Sequence, residues 1–292
     1  MRGVILKGIG GFYYVLSEGR VYACKARGIF RKLGMTPLAG DKVVFSLEEG
    51  QVRQDFDGTI DEIEERLNCF DRPPVANVET MVIVMAARDP LPSFGLLDRF
   101  IVSSERAGAR TVVCVNKTDL AEPALLERFR RIYTPLYPLV FMNAERGEGE
   151  DALRDLIRGS QAALAGPSGV GKSTIANLLL GGSVSLTGAV SAKSLRGRNT
   201  TRHSELFVSG DLMIFDTPGF TSFEEPEMDP AELSSYFPEM AALKGRCRFD
   251  DCAHMDEPDC AVRQAVSEGR IDRSRYRSYR DMYTALRERR QY

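Results

Sequence analysis

The segment GPSGVGKST, residues 166–174, has the residue types and spacing of a phosphate-binding loop. It fits the pattern G-x-x-x-x-G-K-[ST] and lies between an apolar stretch, QAALA, and a predicted helix, KSTIANLLL. In such a loop the glycines let backbone N–H groups surround phosphates, and the start of the helix adds partial positive charge. We expect Lys172 to reach the β- and γ-phosphates during catalysis and the Ser173 hydroxyl to bind Mg²⁺. The residues predicted to contact the nucleotide here are Gly166, Pro167, Ser168, Gly169, Val170, Gly171, Lys172, Ser173 and Thr174.

A second motif, Asp216-x-x-Gly219, follows the apolar stretch LMIF some forty residues after the phosphate loop. We expect Asp216 to hold Mg²⁺ through a water molecule and the Gly219 N–H to contact the γ-phosphate. The polar segment SAKSLRGRNTTRH, residues 191–203, lies between the two motifs and suits a loop that becomes ordered around that phosphate. Thr200 or Thr201 is the candidate for the γ-phosphate and Mg²⁺ contact, with a weak preference for Thr201.

A base-reading motif, Asn116-Lys117-Thr118-Asp119, ends another apolar stretch. The Asp119 carboxylate can accept hydrogen bonds from the ring N–H and the exocyclic amine of guanine together. Adenine presents an acceptor at that ring position, which would leave a buried carboxylate unpaired, so the motif favours guanine. Asn116 and Lys117 are expected to brace the base and the phosphate loop. A capping aspartate after a core strand is the alternative explanation.

A weaker candidate for base binding lies at Asn143-Ala144, which follows the apolar stretch YPLVFM. Its backbone N–H groups could make a second contact with the base, although a small hydroxyl residue would be more usual than Asn143. The order of the motifs is unusual, because the base-reading motif precedes the phosphate loop by about fifty residues. A nucleotide site requires its loops at one edge of a sheet and no particular chain order. We therefore predict a circularly permuted nucleotide-binding domain.

The residue that would orient an attacking water is not evident. Many GTPases carry a glutamine directly after the glycine of the Asp-x-x-Gly motif, and Phe220 occupies that position here. A phenyl ring cannot orient water by hydrogen bonding. We therefore predict slow intrinsic turnover, with a partner or another loop completing the site.

A metal site is predicted in the segment CRFDDCAHMDEPDC, where Cys247, Cys252, His254 and Cys260 form the pattern C-x4-C-x-H-x5-C. Three thiolates and one imidazole make a closed tetrahedral Zn²⁺ site of structural type. The arginine-rich tail that follows interleaves tyrosines with cations. Those tyrosines could stack on RNA or could pack the tail against the metal module, and the sequence does not separate the two.

The rest of the chain indicates a multidomain α/β protein. Short β runs over residues 1–68 predict an OB-type barrel that binds RNA, residues 69–226 alternate buried strands with helices, and residues 227–292 predict a helical zinc-binding domain. Both ends of the chain are basic, which favours a nucleic-acid partner over the common alternative of a solvated basic face. Six cysteines in 292 residues do not suggest a disulfide scaffold, and no apolar run is long enough to span a membrane.

Taken together, these motifs resemble the ribosome small-subunit-dependent GTPase A family, the RsgA or YjeQ type of circularly permuted bacterial GTPase. The resemblance covers nearly the whole chain, including the linker RPPVANVE, the order NKTD, GPSGVGKST and DTPGF, and the Cys/His module. It implies a factor that binds the small ribosomal subunit and its rRNA and acts late in subunit assembly. The cysteine usage suits a reducing cytoplasm, and we expect a monomer. The implied chemistry is hydrolysis of GTP to GDP with Mg²⁺, and one Zn²⁺ has a structural role.

The chain departs from that family at one position in the predicted switch loop. A histidine that commonly precedes the paired threonines is the family's proposed catalytic residue, and Asn199 stands there in this sequence. Asparagine can position water but cannot act as a general base. The catalytic candidates are therefore Asn199, Thr200, Thr201, the nearby His203 and Lys172 of the phosphate loop.

Two other classes of function fit parts of the sequence. A nucleotide-gated RNA-binding module in which hydrolysis matters little is consistent with Phe220 and Asn199. An ATPase acting on nucleic acid is disfavoured by the NKTD motif.

Overall fold

The computed structural model describes residues 1–47, 56–182, 204–216, 220 and 228–290. Within those residues no helix combines the length and the hydropathy needed to cross a bilayer.

The first strands of the chain close into a five-stranded barrel. The strands are β1 (Arg2–Ile9), β2 (Phe12–Ser17), β3 (Arg20–Ala26), β4 (Lys42–Leu47) and β5 (Gly58–Ile63), and helix α1 (Gly28–Lys32) precedes β4. Their order is β1-β2-β3-β5-β4, with a parallel β3–β5 pair, which confirms the predicted OB-type barrel. Gly10 and Gly11, at φ +61° and +84°, turn the chain between β1 and β2. Its core consists of Ile5, Val15, Tyr22, Cys24, Phe30, Val43, Phe45 and Ile60.

A six-stranded sheet forms the centre of the chain, after a short hairpin of β6 (Cys69–Asp71) and β7 (Pro74–Ala76). Its strands are β8 (Thr80–Ala86), β9 (Arg110–Asn116), β10 (Leu139–Phe141), β11 (Gln161–Ala165), β12 (Glu205–Ser209) and β13 (Leu212–Asp216). The spatial order is β10-β9-β8-β11-β13-β12, and every neighbouring pair is parallel except the antiparallel β12–β13 pair. Continuous burial along β8 and β9 reflects a sheet that is covered on both faces.

Helices cover both faces of this sheet. They are α2 (Phe94–Arg106), α3 (Pro123–Tyr133), α4 (Glu150–Ile157) and α5 (Lys172–Leu179). The apolar sides of α2 and α3 belong to one core, and those of α4 and α5 to the other. The predicted alternation of buried strands with helices in this region is confirmed, and Ser93 caps α2 by accepting a hydrogen bond from the Leu96 N–H at 3.3 Å. Strand β12 was not predicted, because it is a short, half-exposed edge strand without a continuous apolar run.

The barrel packs directly against the sheet. Gly40 lies at φ +92°, and a Cβ there would come within 2.1 Å of the Ala76 carbonyl oxygen of β7 and within 2.6 Å of Phe215 Cζ of β13, so only glycine allows this approach. Lys7 of β1 also pairs with Glu205 of the edge strand β12 at 2.6 Å. The close packing at Gly40 fixes where the barrel sits relative to the sheet.

The last part of the chain is helical among the residues described. It contains a 3-10 helix (Pro230–Tyr236), α6 (Pro238–Ala241), α7 (Ala261–Ser267) and α8 (Arg273–Arg290). These helices share an apolar core with the Cys/His segment, and Val102 of α2 contributes to the same core. The C-terminal region therefore packs on the same side of the sheet as α2.

A buried ionic cluster joins the C-terminal region to the sheet domain. Arg275 of α8 is 1% exposed, and its Nη1 donates to Asp98 Oδ1 of α2 at 2.6 Å. Its Nε and Nη2 donate to the two carboxylate oxygens of Glu239 at 2.7 and 3.1 Å. Tyr133 of α3 donates to the same Asp98 oxygen at 2.8 Å, and the guanidinium lies 4.7 Å from the Phe237 ring centroid. One arginine thus links elements of both regions.

Replacing Arg275 with methionine should destabilise the protein by about 3–5 kcal/mol, because Asp98 and Glu239 would remain buried without their cation. Denaturant titration measures this loss. The control is Arg270→Met, which removes an exposed pair with Glu268 and should cost less than about 1 kcal/mol. Equal effects of the two substitutions would contradict a structural role for the cluster.

Candidate functional site

The predicted nucleotide-binding segments meet at the carboxyl ends of the parallel strands. The phosphate loop follows β11, the base-reading motif follows β9, and β8 lies between these two strands. In open α/β sheets this edge is where ligands bind. The permuted chain order thus leads to an ordinary spatial arrangement.

The phosphate loop depends on glycine at its first position. Gly166 has φ +140°, and a Cβ there would lie 2.1 Å from the Val84 carbonyl oxygen of β8. Its N–H donates to the Phe220 carbonyl at 3.0 Å. The loop then passes Gly169 at φ +81° and Gly171 at φ +96° before α5 begins. These left-handed positions turn the chain tightly ahead of the helix.

Lys172, Ser173 and Thr174 begin helix α5. The Lys172 ammonium donates to the carbonyls of Gly166 and Pro167 at 2.7 and 2.8 Å, so the side chain folds back over the loop. Burial lowers the pKa of Lys172 to about 8. Ser173 and Thr174 are exposed, as is Ser168 within the loop.

The base-reading motif is bonded to the phosphate loop. Asn116 is 3% exposed; its Nδ2 donates to the Val170 carbonyl at 2.9 Å, and its Oδ1 accepts from the Ala144 N–H at 3.0 Å. Lys117 adopts φ +59°, and its ammonium donates to the Gly169 carbonyl at 2.8 Å. The same ammonium donates to the carbonyl of Asp89, in the loop between β8 and α2. Side chains after β9 therefore hold the loops after β8, β10 and β11.

Asp89 is a residue of this site that sequence reasoning missed. It contributes a backbone carbonyl, which any residue type provides, so only its left-handed φ of +49° next to Pro90 marks the position. A turn signal such as D-P indicates a loop and does not indicate what the loop contacts.

The remaining base-binding candidates are positioned by backbone contacts. Thr118 Oγ1 donates to the Met142 carbonyl at 3.0 Å, and Asp119 lies exposed in a single 3-10 turn. The Asn143 N–H donates to the Glu148 carbonyl at 3.0 Å, and the Ala144 N–H is already bonded to Asn116. Both N–H groups expected to contact a base thus already donate to acceptors within the protein. To contact a base, they would have to give up those acceptors.

Part of the predicted site lies outside the described residues, namely Asn199, Thr200, Thr201, His203 and Gly219. Asp216 ends β13, where its backbone pairs with Glu205, but its side chain is outside the description.

Phe220 is a core residue. Its side chain is fully buried and packs edge-on against Phe70 of β6, with ring centroids 5.2 Å apart. Its carbonyl accepts the Gly166 N–H at the base of the phosphate loop. The position where many GTPases carry a water-orienting glutamine therefore anchors the phosphate loop to the core.

The predicted metal ligands converge in the C-terminal region. The ligand atoms of Cys247, Cys252, His254 and Cys260 all lie within 4.8 Å of one another. His254 Nδ1 is 3.5 Å from Cys247 Sγ and 3.4 Å from Cys260 Sγ, and these two sulfurs are 3.9 Å apart. Zn–S bonds of about 2.3 Å place two sulfurs of a tetrahedron about 3.8 Å apart, so the spacing is compatible with zinc.

Hydrogen bonds hold the turn that carries these ligands. Burial opposes ionisation of the Glu257 carboxylate, but its pKa is lowered overall because it accepts from its own backbone N–H and from those of Ala253, Met255 and Asp256. Tyr279 donates to the Ala253 carbonyl and Tyr276 to the His254 carbonyl, each at 2.7 Å. Of the two alternatives for the tail tyrosines, packing against the metal module is confirmed for these two.

A phosphate loop joined to a base-reading motif that precedes it in the chain defines a circularly permuted P-loop GTPase. Residues 63–226 match the family model for the RsgA GTPase, and residues 2–52 match that for the RsgA N-terminal domain. The small ribosomal subunit biogenesis GTPase RsgA of Ruminiclostridium cellulolyticum is 42% identical over 294 residues, covering 99% of this chain and 95% of that protein. The chain belongs to the RsgA GTPase family.

Solved structures agree with this assignment. The crystal structure of YjeQ from Thermotoga maritima matches with a TM-score of 0.84 and 33% identity, covering 98% of each chain. The crystal structure of YloQ, a circularly permuted GTPase, matches with a TM-score of 0.82 and 34% identity over 99% of this chain and 95% of that one.

Gly171→Ala should destabilise the nucleotide-free protein more than Gly169→Ala does. Both positions have left-handed φ, but a Cβ at Gly171 would lie 2.3 Å from Asn116 Nδ2, whereas the nearest atom at Gly169 is Pro90 Cδ at 3.7 Å. Backbone strain of about 1–2 kcal/mol is common to both. Loss of the Asn116 bonds adds about 1–3 kcal/mol at Gly171 alone.

Equilibrium unfolding measures this difference. In an Asn116→Ala background the extra cost at Gly171 should disappear, because the colliding amide is absent. An unchanged extra cost would show that the collision is not its source.

Proposed function

We propose that this GTPase binds the small ribosomal subunit, acts in its late maturation in the cytoplasm, and hydrolyses GTP to GDP faster when bound there. The observation that carries the proposal is that the Asn116 side chain hydrogen-bonds the base-reading motif to the phosphate loop. The R. cellulolyticum relative, whose name assigns it to small-subunit biogenesis, supports the partner.

In this proposal GTP is held from two sides. The exposed Asp119 carboxylate reads guanine, and the loop from Gly166 to Thr174 holds the phosphates. Lys172 exchanges its two carbonyl partners for phosphate oxygens, which favour its charged form. The Ser173 hydroxyl, with Thr201 and Asp216, would hold Mg²⁺, which supplies charge stabilisation at the phosphates.

The hydrolytic step is proposed to depend on a partner. Phe220 is committed to the core, so the attacking water needs another group. Asn199, Thr200, Thr201 and His203 are the candidates within the chain. The same observation favours the alternative of a nucleotide-gated RNA-binding module, in which binding and release are the function.

We propose that the chain consists of three domains, residues 1–68, 69–226 and 227–292. Within the first of these, the barrel is proposed to contact RNA. Cations lie over aromatic rings on its surface, with Lys25 Nζ 5.2 Å from the Phe12 ring centroid and 4.4 Å from that of Phe56. Such pairs combine a stacking surface with phosphate attraction.

Small ribosomal subunits should raise the single-turnover rate of GTP hydrolysis by at least about tenfold. In other GTPases, a partner that completes the catalytic site raises the hydrolysis rate by more than that. The measurement compares GTP cleavage with and without purified subunits. Lys172→Ala, which removes the proposed phosphate contact, is the control and should abolish the stimulated rate. Equal rates with and without subunits would favour the RNA-binding module.

The Cys/His cluster is proposed to hold one structural Zn²⁺. Elemental analysis should find one equivalent per chain in the unaltered protein, and Cys252→Ser should lose most of it because a closed site needs all four ligands. The matched control is Cys69→Ser, an exposed cysteine outside the cluster, which should keep the metal. Retention of full metal by Cys252→Ser would refute this ligand set.

A further inference from the structure

Helix α8 carries a row of arginines along its outer side. Arg273, Arg277, Arg280 and Arg287 are all exposed. At about 100° per residue these four positions fall within roughly 80° of the helix circumference. We call them the arginine stripe. The opposite side of the helix is buried and consists of Arg275, Tyr279, Met282 and Leu286.

The charges of the stripe are scarcely neutralised within the protein. Among the residues that the structure describes, Arg273, Arg277 and Arg287 have no carboxylate oxygen within 4 Å, and Arg280 has only the exposed Asp256 at 3.9 Å. The nearby carboxylates on α8 itself, Asp281 and Glu288, lie about 60–80° around the helix from the centre of the stripe.

The basic surface continues onto the sheet domain at the start of α8. Arg131 of α3 reaches Asp272 at 3.5 Å, and its side chain is 69% exposed. Arg128, one helical turn earlier, is also exposed and lies 4.2 Å from the Phe94 ring centroid. A partner seated on the stripe would therefore meet further cations beyond its amino-terminal end.

We propose that the arginine stripe binds the phosphate backbone of double-helical RNA. This inference rests on the proposed function, because it assigns one RNA-contacting surface of the same protein. From Arg273 to Arg287 the stripe spans about 21 Å at 1.5 Å per residue. Double-stranded DNA carries one negative charge per roughly 1.7 Å of axis with both strands counted, so a duplex of that length carries on the order of twelve charges, of which one side faces the stripe. The planar guanidinium forks match phosphate oxygens.

The placement of the α8 tyrosines indicates whether the stripe suits double-stranded or single-stranded RNA. Recognition of unpaired bases relies on exposed aromatic rings for stacking. Here the hydroxyls of Tyr276 and Tyr279 are bonded to carbonyls of the metal module, and Tyr279 is 1% exposed. Tyr276 and Tyr283 are partly buried against the C-terminal core. The arc of the stripe itself therefore offers cations with no aromatic ring among them, which suits a backbone contact to a duplex.

An acidic protein is the competing partner for a row of cations. Stable protein interfaces place apolar and aromatic residues at their centre. The stripe has Thr284 between Arg280 and Arg287 and no large apolar side chain within its arc. A row of cations without an apolar centre therefore favours RNA over an acidic protein as the partner.

The test measures binding of the full chain to a 16-base-pair RNA duplex of arbitrary sequence at several salt concentrations. The variant is Arg273→Gln/Arg277→Gln/Arg287→Gln, which keeps good helix formers. The control, Arg110→Gln/Arg158→Gln/Arg270→Gln, removes the same charge from exposed sites elsewhere. Three lost phosphate contacts should weaken binding about 10- to 100-fold near 0.1 M salt and reduce the slope of log K against log salt by about 2–3. The control should change each by much less.

Two further readouts sharpen the result. Asp281→Asn/Glu288→Gln should tighten duplex binding, and the stripe variant should keep the basal GTPase rate and the unfolding midpoint. Duplex affinity and salt slope equal to those of the control would overturn the proposal, as would an equal loss for single-stranded RNA of the same length. Either result leaves stimulation by small subunits intact, whereas absent stimulation in the unaltered protein would count against the proposed function itself.

Discussion

Two hydrogen bonds of the buried Asn116 amide determine how the nucleotide site is assembled. One ties the loop after β9 to Val170 of the phosphate loop, and the other ties it to Ala144 after β10. Because the amide is excluded from water, losing either bond would leave a buried polar group unpaired. The three loops are therefore held as one body, whichever of them comes first along the chain. This explains why a permuted order is compatible with an ordinary GTPase site.

A second constraint couples this site to the C-terminal region. The Lys117 ammonium holds the Asp89 carbonyl in the loop that leads into α2, and α2 contributes Asp98 to the buried cluster around Arg275. Removing one partner of a buried ion pair is strongly destabilising, so this cluster fastens the C-terminal region to the sheet domain. The metal module is in turn fastened to α8 by Tyr276 and Tyr279. A continuous series of contacts thus runs from the base side of the nucleotide site to helix α8.

Three glycines allow close approach between parts of the structure. Gly40 allows the barrel to approach the sheet, Gly166 allows β8 to approach the phosphate loop, and Gly171 leaves room for the Asn116 amide. At each position a Cβ would collide with an atom that is itself held in place. The motif G-x-x-x-x-G-K-[ST] thus serves packing between strands as well as access for phosphate.

Local sequence was sufficient to predict the phosphate loop, the base-reading motif, the clustering of three cysteines and a histidine, and most strands of the sheet, because each depends on residue types at fixed short spacing. It could not predict that Phe220 is a core residue whose carbonyl supports Gly166, or that Asp89 contacts Lys117, since these contacts join segments far apart in the chain through backbone atoms that any residue carries. The tail tyrosines were equally ambiguous, because an aromatic ring with a hydroxyl can stack on a base or bond a carbonyl. Only the tertiary structure decided between them, by placing the carbonyls of Ala253 and His254 within reach and leaving the four arginines of the stripe in solvent.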